Sequence, residues 1–382
     1  MTYKKLREII INEFEVIEFF DLGLDVFENV VVESVIFTFK KTKSNTQNTT
    51  IKIDHDRTGN FFNVENTFVI DLLKYYNKDN TFNIYLSSDF DDIVSKCQAD
   101  AIELGNIAYC TVGINTGYIK GDLTAKHQID SRYHKMLNGK NIGRNFLEWD
   151  GEWIMYDVEF VKSKGDQGRS LPPEYIFTSE KILVQRTRRG MKRKLVCYFD
   201  NEQYYNLNRI SNIVLKDNRF SLMYIYTILN SALLDFYFNK YFNEYEVKPA
   251  HLSKLPIKVL PFEKQFSFID KSDLILSLNK ELQQVSLRFQ RTLQRKFGLE
   301  NLSKKLLGWY ILSYAEFIKE LVKKKTILSL SEEAEWEDFF LQERIKAIEL
   351  KTRIETTDKE IDQMVYELYG LTEDEIKIVE NS

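Results

Sequence analysis

Six cations, Arg186, Arg188, Arg189, Lys192, Arg193 and Lys194, fall within nine residues around Gly190 in the stretch KILVQRTRRGMKRKLVCYFD. Charges so crowded repel one another and contribute nothing to the fold, whereas an anionic partner would remove the repulsion. Phosphate backbone is the commonest such partner, because Arg and Lys contacts to it release condensed counterions. A loop that is merely solvated would have the same composition. Two further sets lie upstream. In IAYCTVGINTGYIKGDL, Gly113, Gly117 and Gly121 recur every fourth residue, and Asn115, Thr116, Tyr118 and Lys120 lie among them. Glycines at this spacing permit positive φ and the close approach of a backbone or ligand. They do not make G-x-G-x-x-G, which excludes a dinucleotide fingerprint. In YHKMLNGKNIGR, Asn138-Gly139 signals a turn. Lys135 precedes it, and Lys140, Asn141 and Arg144 follow, in reach of phosphates or base edges.

Other residue types offer less. Glu246-Val247-Lys248 and Glu375-Ile376-Lys377 have the E-x-K spacing of metal-dependent nucleases, but neither has an acidic partner at a convincing distance. His55, His127, His134 and His251 have no ligand spacing, and surface or core duty is their default. Cys97, Cys110 and Cys197 are scattered without a C-x-x-C pair, which argues against structural zinc and fits a reducing cytoplasm. No catalytic, cofactor-binding or metal-ligating residue is therefore expected in this chain.

The elements that must position these side chains follow from periodicity. Residues 181–184 and 195–199 are apolar runs on either side of the cations, which predicts a hairpin with its charges at the tip. Residues 2–14 read as an amphipathic helix, 16–20 as a strand closed by a turn at 21–23, and 30–39 as a β-branched strand. A helix with two strands would leave an apolar sheet face uncovered, so the chain is expected to start inside a domain. Residues 40–60 are polar and predict a loop or insertion. Residues 68–76 and 91–97 predict short helices, 82–86 and 153–156 strands, and 163–173 a loop. Residues 221–242 predict one helix buried on Leu222, Ile225, Ile228, Leu229, Leu233 and Phe236, with its aromatic stripe as packing. Beyond residue 272 the pattern is helical in four segments, 272–297, 302–325, 331–354 and 358–369. Gly298 and Gly370 act as stops, and Thr372 to Glu375 forms a capping box.

Composition bounds the partner. The 382 residues are 43% hydrophobic with net charge −4, enough for two or three domains but not for a globally basic surface. Any nucleic-acid surface must be local, and the middle supplies it: residues 101–220 hold 19 Lys/Arg against 14 Asp/Glu, whereas residues 1–100 hold 11 against 17. No apolar run reaches membrane-spanning length.

Several phrases taken in order resemble one family. They are YKKLREIIINEFEVIEFFDLGLDVFENVVVESVIFTFKK, GINTGYIKGDL, YHKMLNGKNIGR, KILVQR, YTILNSALLDFYF, LSKLPI and IDQMVYELYGLTEDEIKIVE. Together they resemble the carboxy-terminal part of type IIG restriction-modification enzymes and related N6-adenine DNA methyltransferases, including a TaqI-like C-terminal specificity domain. The resemblance implies an α+β chain in three parts. Residues 1–89 would be the end of a methyltransferase-like α/β domain with an insertion, 90–268 a target recognition domain, and 269–382 a helical spacer and support. It implies duplex DNA as partner, with chemistry performed by a methyltransferase or endonuclease domain or subunit upstream. S-adenosylmethionine and magnesium are implied only for those upstream parts. Neither the glycine-rich S-adenosylmethionine loop nor an Asn-Pro-Pro-Tyr motif for a flipped adenine is found here. The nearest string, Leu171-Pro172-Pro173-Glu174-Tyr175, lacks the amide and carries an extra residue. The DNA-binding set on this reading is Asn115, Thr116, Tyr118, Lys120, Lys135, Lys140, Asn141, Arg144, Arg186, Arg188, Arg189, Lys192, Arg193 and Lys194. The alternative, from a different class, is a helical scaffolding module that docks a methyltransferase subunit with little DNA affinity of its own.

Overall fold

Two compact units partition the chain: Met1–Ala99 with Phe236–Glu244, and Asp100–Asp235 with Tyr245–Ser382. The computed structural model describes residues 4–23, 26–27, 32, 34–42, 48–54, 64–72, 82, 88–165, 170–187, 191, 193–242 and 246–381. The architecture is α+β, as the sequence predicts.

In the first unit, helix α1 (Lys4–Glu13) buries Ile11 and leads into β1 (Glu15–Gly23). With β2 (Ser34–Lys40), β3 (Asn48–Asp54) and β4 (Val64–Asp71) it forms a sheet of order β2-β1-β3-β4. β1 runs antiparallel to β2 and parallel to β3. Three expectations are corrected. The predicted turn at 21–23 is strand, with a register shift between Asp21 and Gly23 that absorbs the glycine. The polar stretch 40–60 contains β3, because Thr49 and Ile51 both face inward and are fully buried. The Thr49 hydroxyl donates to the Val16 carbonyl at 2.8 Å, so a polar side chain sits in the core without an unmet hydrogen bond. Residues 68–71, predicted helical, are the end of β4, and 73–76 lie outside the described residues. Of 82–86 only Phe82 is described, its ring 5.7 Å from that of Phe19. Helix α2 (Ser88–Gln98) forms where expected.

The second unit begins with β5 (Ala101–Glu103), β6 (Ala108–Val112), β7 (Thr124–Ala125), β8 (Tyr133–Leu137), β9 (Ile142–Gly143) and β10 (Phe146–Leu147). It continues with β11 (Trp153–Met155), β12 (Lys181–Gln185), β13 (Cys197–Asp200), β14 (Tyr205–Asn206), β15 (Ile210–Leu215) and β16 (Pro256–Lys258). Two four-stranded sheets result, of order β14-β8-β11-β7 and β13-β12-β15-β6. The predicted hairpin is the β12–β13 pair, in register from Lys181 opposite Asp200 to Val184 opposite Cys197.

The single helix predicted over 221–242 is two, α3 (Leu222–Leu229) and α4 (Ala232–Phe242). Asn230 breaks it, because its side chain is committed to Cys197, accepting from the backbone N–H at 3.1 Å and donating to the carbonyl at 3.2 Å. The Ser231 hydroxyl then accepts from Leu234 N–H and starts the second helix. The aromatic stripe is packing: Tyr224, Tyr226, Phe236, Tyr237 and Phe238 are all buried.

The carboxy-terminal helices are α5 (Phe262–Phe297), α6 (Tyr314–Lys323), α7 (Leu330–Tyr369) and α8 (Glu373–Glu380). The segments predicted at 331–354 and 358–369 merge into α7, and the helix predicted at 302–325 breaks into one α-helical turn at Lys304–Leu307, a 3-10 turn at Trp309–Ile311 and α6. Gly298 and Gly370 end α5 and α7 at φ of 63° and 71°, conformations that favour glycine. The Thr372–Glu375 capping box is formed on both sides. Phe289 lies at the centre of the helical core, stacked 3.7 Å from Trp309 and ringed by Phe317, Trp336, Phe339 and Phe340. These helices are joined to the sheets by buried polar bonds. Gln265 bridges the Ser221 N–H and the Arg219 and Leu260 carbonyls, and the Tyr369 hydroxyl donates to the Pro256 carbonyl at 2.8 Å. Among the described residues no helix is long and apolar enough to cross a membrane.

Candidate nucleic-acid interface

Four loops meet along one edge of the second unit. Ile114, just past β6, bridges Leu207, and its carbonyl accepts from Asn208 N–H at 2.9 Å. Leu207 N–H donates to the carbonyl of Leu137, the last residue of β8. The Gln185 side chain, at the end of β12, donates to the Gly139 carbonyl, and Arg186 N–H donates to the Arg209 carbonyl. The loops that follow β6, β8 and β12 thus converge on the turn between β14 and β15. The base of the hairpin tip, Arg186 on one side and Leu195 and Val196 on the other, starts from the same place.

The predicted residues separate into two groups on this edge. Tyr118 stands 92% exposed, beyond Gly117 at φ 52°, and Lys120 beside it is exposed. Lys140 is exposed and pairs with Asp150 at 2.8 Å, a hydrogen bond that raises the pKa of its ammonium. Exposed pairs of this kind are worth little and exchange readily for another anion. Lys135 is half-buried, its ammonium 5.2 Å from the Trp149 ring centre and 5.6 Å from that of Tyr204. Asn115 is half-buried, its Oδ1 3.3 Å from Gly117 N–H, and Thr116 is buried.

The second group faces inward. Asn141 is buried: its Oδ1 accepts from Asn138 N–H and its Nδ2 donates to the Glu148 carbonyl, closing the cap of the 139–141 turn. Arg144 holds Asp358 through both terminal nitrogens and donates to the Asn230 carbonyl from Nε and Nη2. Arg193 donates to that same carbonyl, so two guanidinia cap the negative end of α3. Burial, then the adjacent Arg144 charge, lowers the Arg193 pKa, and burial raises the carboxyls of Asp235 and Asp362 nearby. Asp235 also accepts the backbone N–H groups of Lys194 and Leu195. Arg186 reaches Glu246 at 2.8 Å and the Asn208 carbonyl at 2.6 Å. Arg144, Arg186, Arg193 and Asn141, read from the sequence as DNA contacts, are thus placed as braces within the fold. Arg188, Arg189 and Lys192 lie outside the described residues.

The three spaced glycines do different things. Gly121 has open space around it, and Gly117 supplies a positive φ. At Gly113 a Cβ would lie inside the contact radius of the Asn206 carbonyl and side-chain amide, and 2.6 Å from the Leu207 carbonyl. These are mostly backbone atoms that hold the edge together and cannot step aside. Gly113→Ala is therefore expected to destabilise the second unit by roughly 1–3 kcal/mol, the cost of overpacking a tight site, measurable by chemical denaturation. No change in midpoint would show that the β14–β15 turn is softer than its hydrogen bonds imply.

Sequence reasoning missed Arg209 and Asn208 on the β14–β15 turn, and the carboxylates that engage the arginines. Asn208-Arg209 falls in a stretch with no charge run and no glycine, so no local signal marked it. Asp358 and Glu246 lie 214 and 60 residues from the arginines they hold.

Residues 134–257 match the family described as the TaqI-like C-terminal specificity domain, and residues 262–365 match a domain of unknown function (DUF8810). No curated protein matches the chain. Three solved structures are similar at low identity. The type IIG restriction endonuclease BpuSI is 11% identical at a TM-score of 0.34, over 71% of this chain and 40% of that one. The type IIL restriction-modification enzyme MmeI, in complex with DNA, is 11% identical at 0.44, over 94% and 44%. The HsdS subunit from Thermoanaerobacter tengcongensis is 10% identical at 0.30, over 49% and 42%. The chain spans less than half the length of each.

Proposed function

We propose that the second unit is a DNA target-recognition module of a restriction-modification enzyme, which positions duplex DNA for methylation or cleavage performed by other domains. The observation that carries this is a coincidence of place. The stretch matching the specificity-domain family, 134–257, supplies three of the four loops at the shared edge, and that edge is where the exposed cations and the root of the basic hairpin lie. On this reading Lys120, Lys140 and the hairpin tip contact phosphates and set register, while Tyr118 and Asn115 approach base edges. Arg144, Arg186 and Arg193 act one step removed, by fixing the loops. The parent reaction is adenine N6 methylation of the type IIG kind, with S-adenosylmethionine held by the domains that perform it.

The test is salt dependence of binding to duplex DNA, followed by fluorescence anisotropy. With about five phosphates engaged, affinity should fall on the order of 10²- to 10³-fold between about 50 and 200 mM salt. A flat response would remove DNA from the account and leave the helical half as a scaffold.

A further inference from the structure

The arginines of the recognition region differ in one respect that bears on base reading. Arg132 pairs with Asp130 and Asp157, Arg144 with Asp358, Arg186 with Glu246 and Arg219 with Asp217. Arg193 is committed to the Asn230 and Leu195 carbonyls. Arg209 is exposed and has no carboxylate partner among the described residues. Its guanidinium makes a single long hydrogen bond, 3.4 Å, to the Thr187 hydroxyl.

The backbone on either side of it is by contrast hydrogen-bonded to its neighbours. Asn208 N–H is held by the Ile114 carbonyl, the Asn208 carbonyl by Arg186 Nη1, and the Arg209 carbonyl by Arg186 N–H. Ile210 N–H closes the turn on the Leu207 carbonyl. Gly139 lies against the Arg209 Cβ, at 3.4 Å from where its own Cβ would stand. Arg209 therefore sits at the centre of the edge, touching or bonded to the loops after β8 and β12 and one residue from the bond to the loop after β6. A mobile lysine serves a phosphate well enough. A planar fork on a hydrogen-bonded turn, with no carboxylate holding its donors, suits the paired acceptors of a base edge.

We infer that Arg209 is a specificity-determining residue that recognises guanine in the major groove, donating to N7 and O6, with Arg186 and Glu246 as its positioning residues. The ligand is a guanine edge because it presents two adjacent acceptors to one guanidinium. This rests on the DNA-recognition reading above.

The experiment is enrichment from a library of randomised duplexes by the full chain, by Arg209→Ala and by Lys120→Ala. The full chain should enrich a defined site containing at least one guanine. Arg209→Ala should lose the preference for guanine at one position by roughly 10- to 100-fold and keep the rest of the site. Lys120→Ala should weaken binding evenly and leave base preferences unchanged. An Arg209→Ala profile identical to the parent's overturns the assignment. So does an even loss of affinity with a salt slope shallower by about 0.9, the mark of a phosphate contact. If the full chain enriches no site at all, the recognition reading fails with it, which is a different result from a defined site that Arg209→Ala leaves intact.

Discussion

Arg144→Met is expected to unfold the second unit more easily by roughly 3 kcal/mol, the low end of the cost of removing one partner from a buried ion pair. The side chains of Arg144 and Asp358 are 21% and 24% exposed, so water screens part of the charge left behind. The substitution also strips two donors from the Asn230 carbonyl, at the negative end of α3. Calorimetry should show one transition falling by on the order of 10 °C, and a second, belonging to the other unit, unmoved. Arg144→Lys should recover only part of the loss, since an ammonium cannot grip a carboxylate and a carbonyl in one plane. Asp358→Leu added to Arg144→Met should cost less than the two changes summed, which a double-mutant cycle measures directly. Because Arg144 faces inward, the salt slope of DNA binding should not change in Arg144→Met below its transition. A loss under about 1 kcal/mol would place the pair with exposed ones, and a shallower slope would return Arg144 to the phosphate contacts.

Lys181→Met should be comparably severe. Lys181 and Asp200 are wholly buried at the base of the β12–β13 hairpin, 2.6 Å apart, and the ammonium also donates to the Phe177 carbonyl at 2.6 Å. Asp200 in turn accepts from the N–H groups of Glu202 and Tyr204, which fixes the turn into β14. Burial raises the Asp200 carboxyl and lowers the Lys181 ammonium, both toward neutrality and against their mutual attraction. Without Lys181 the carboxylate is buried with only two backbone donors, and a cost of about 3–5 kcal/mol follows. The sign of the pH dependence is definite. A carboxyl raised in the folded state binds its proton more tightly there than in the unfolded chain, so folded stability falls as pH climbs above the unfolded value of about 3.9. The deficit of Lys181→Met should therefore shrink as the pH is lowered toward 4 and be largest near neutrality. A deficit independent of pH would mean that water or a rearranged partner reaches Asp200. The hairpin carries the basic tip, so this variant should also loosen DNA binding wherever it is partly unfolded.

Much of the local structure was legible in the residues themselves. The β12–β13 pairing follows from two apolar runs around a polar tip, the ends of α5 and α7 from Gly298 and Gly370, and the start of α8 from Thr372 and Glu375. These signals act over a few residues, through dihedral preference, capping and burial of one face, and need no knowledge of the rest of the chain. The recognition-domain likeness was legible too, because it rests on strings such as YHKMLNGKNIGR that can be read in order. β3 was hidden because NTTIKID looks polar until the Val16 carbonyl is known to satisfy Thr49. The break at Asn230 was hidden because its cause, Cys197, lies on another element.

Which cations are free was decided by tertiary structure alone. A guanidinium has the same charge whether it faces solvent or a carboxylate, so Arg144, Arg186 and Arg209 are equivalent in a one-dimensional reading. Folding brings Asp358 to the first and Glu246 to the second, across long stretches of chain, and brings no described carboxylate to the third. Ion pairing is a through-space effect with a range of a few ångströms and no relation to sequence distance. Sequence could thus locate the basic region, whereas the division of its side chains into those held within the fold and those left without a carboxylate came only with the fold.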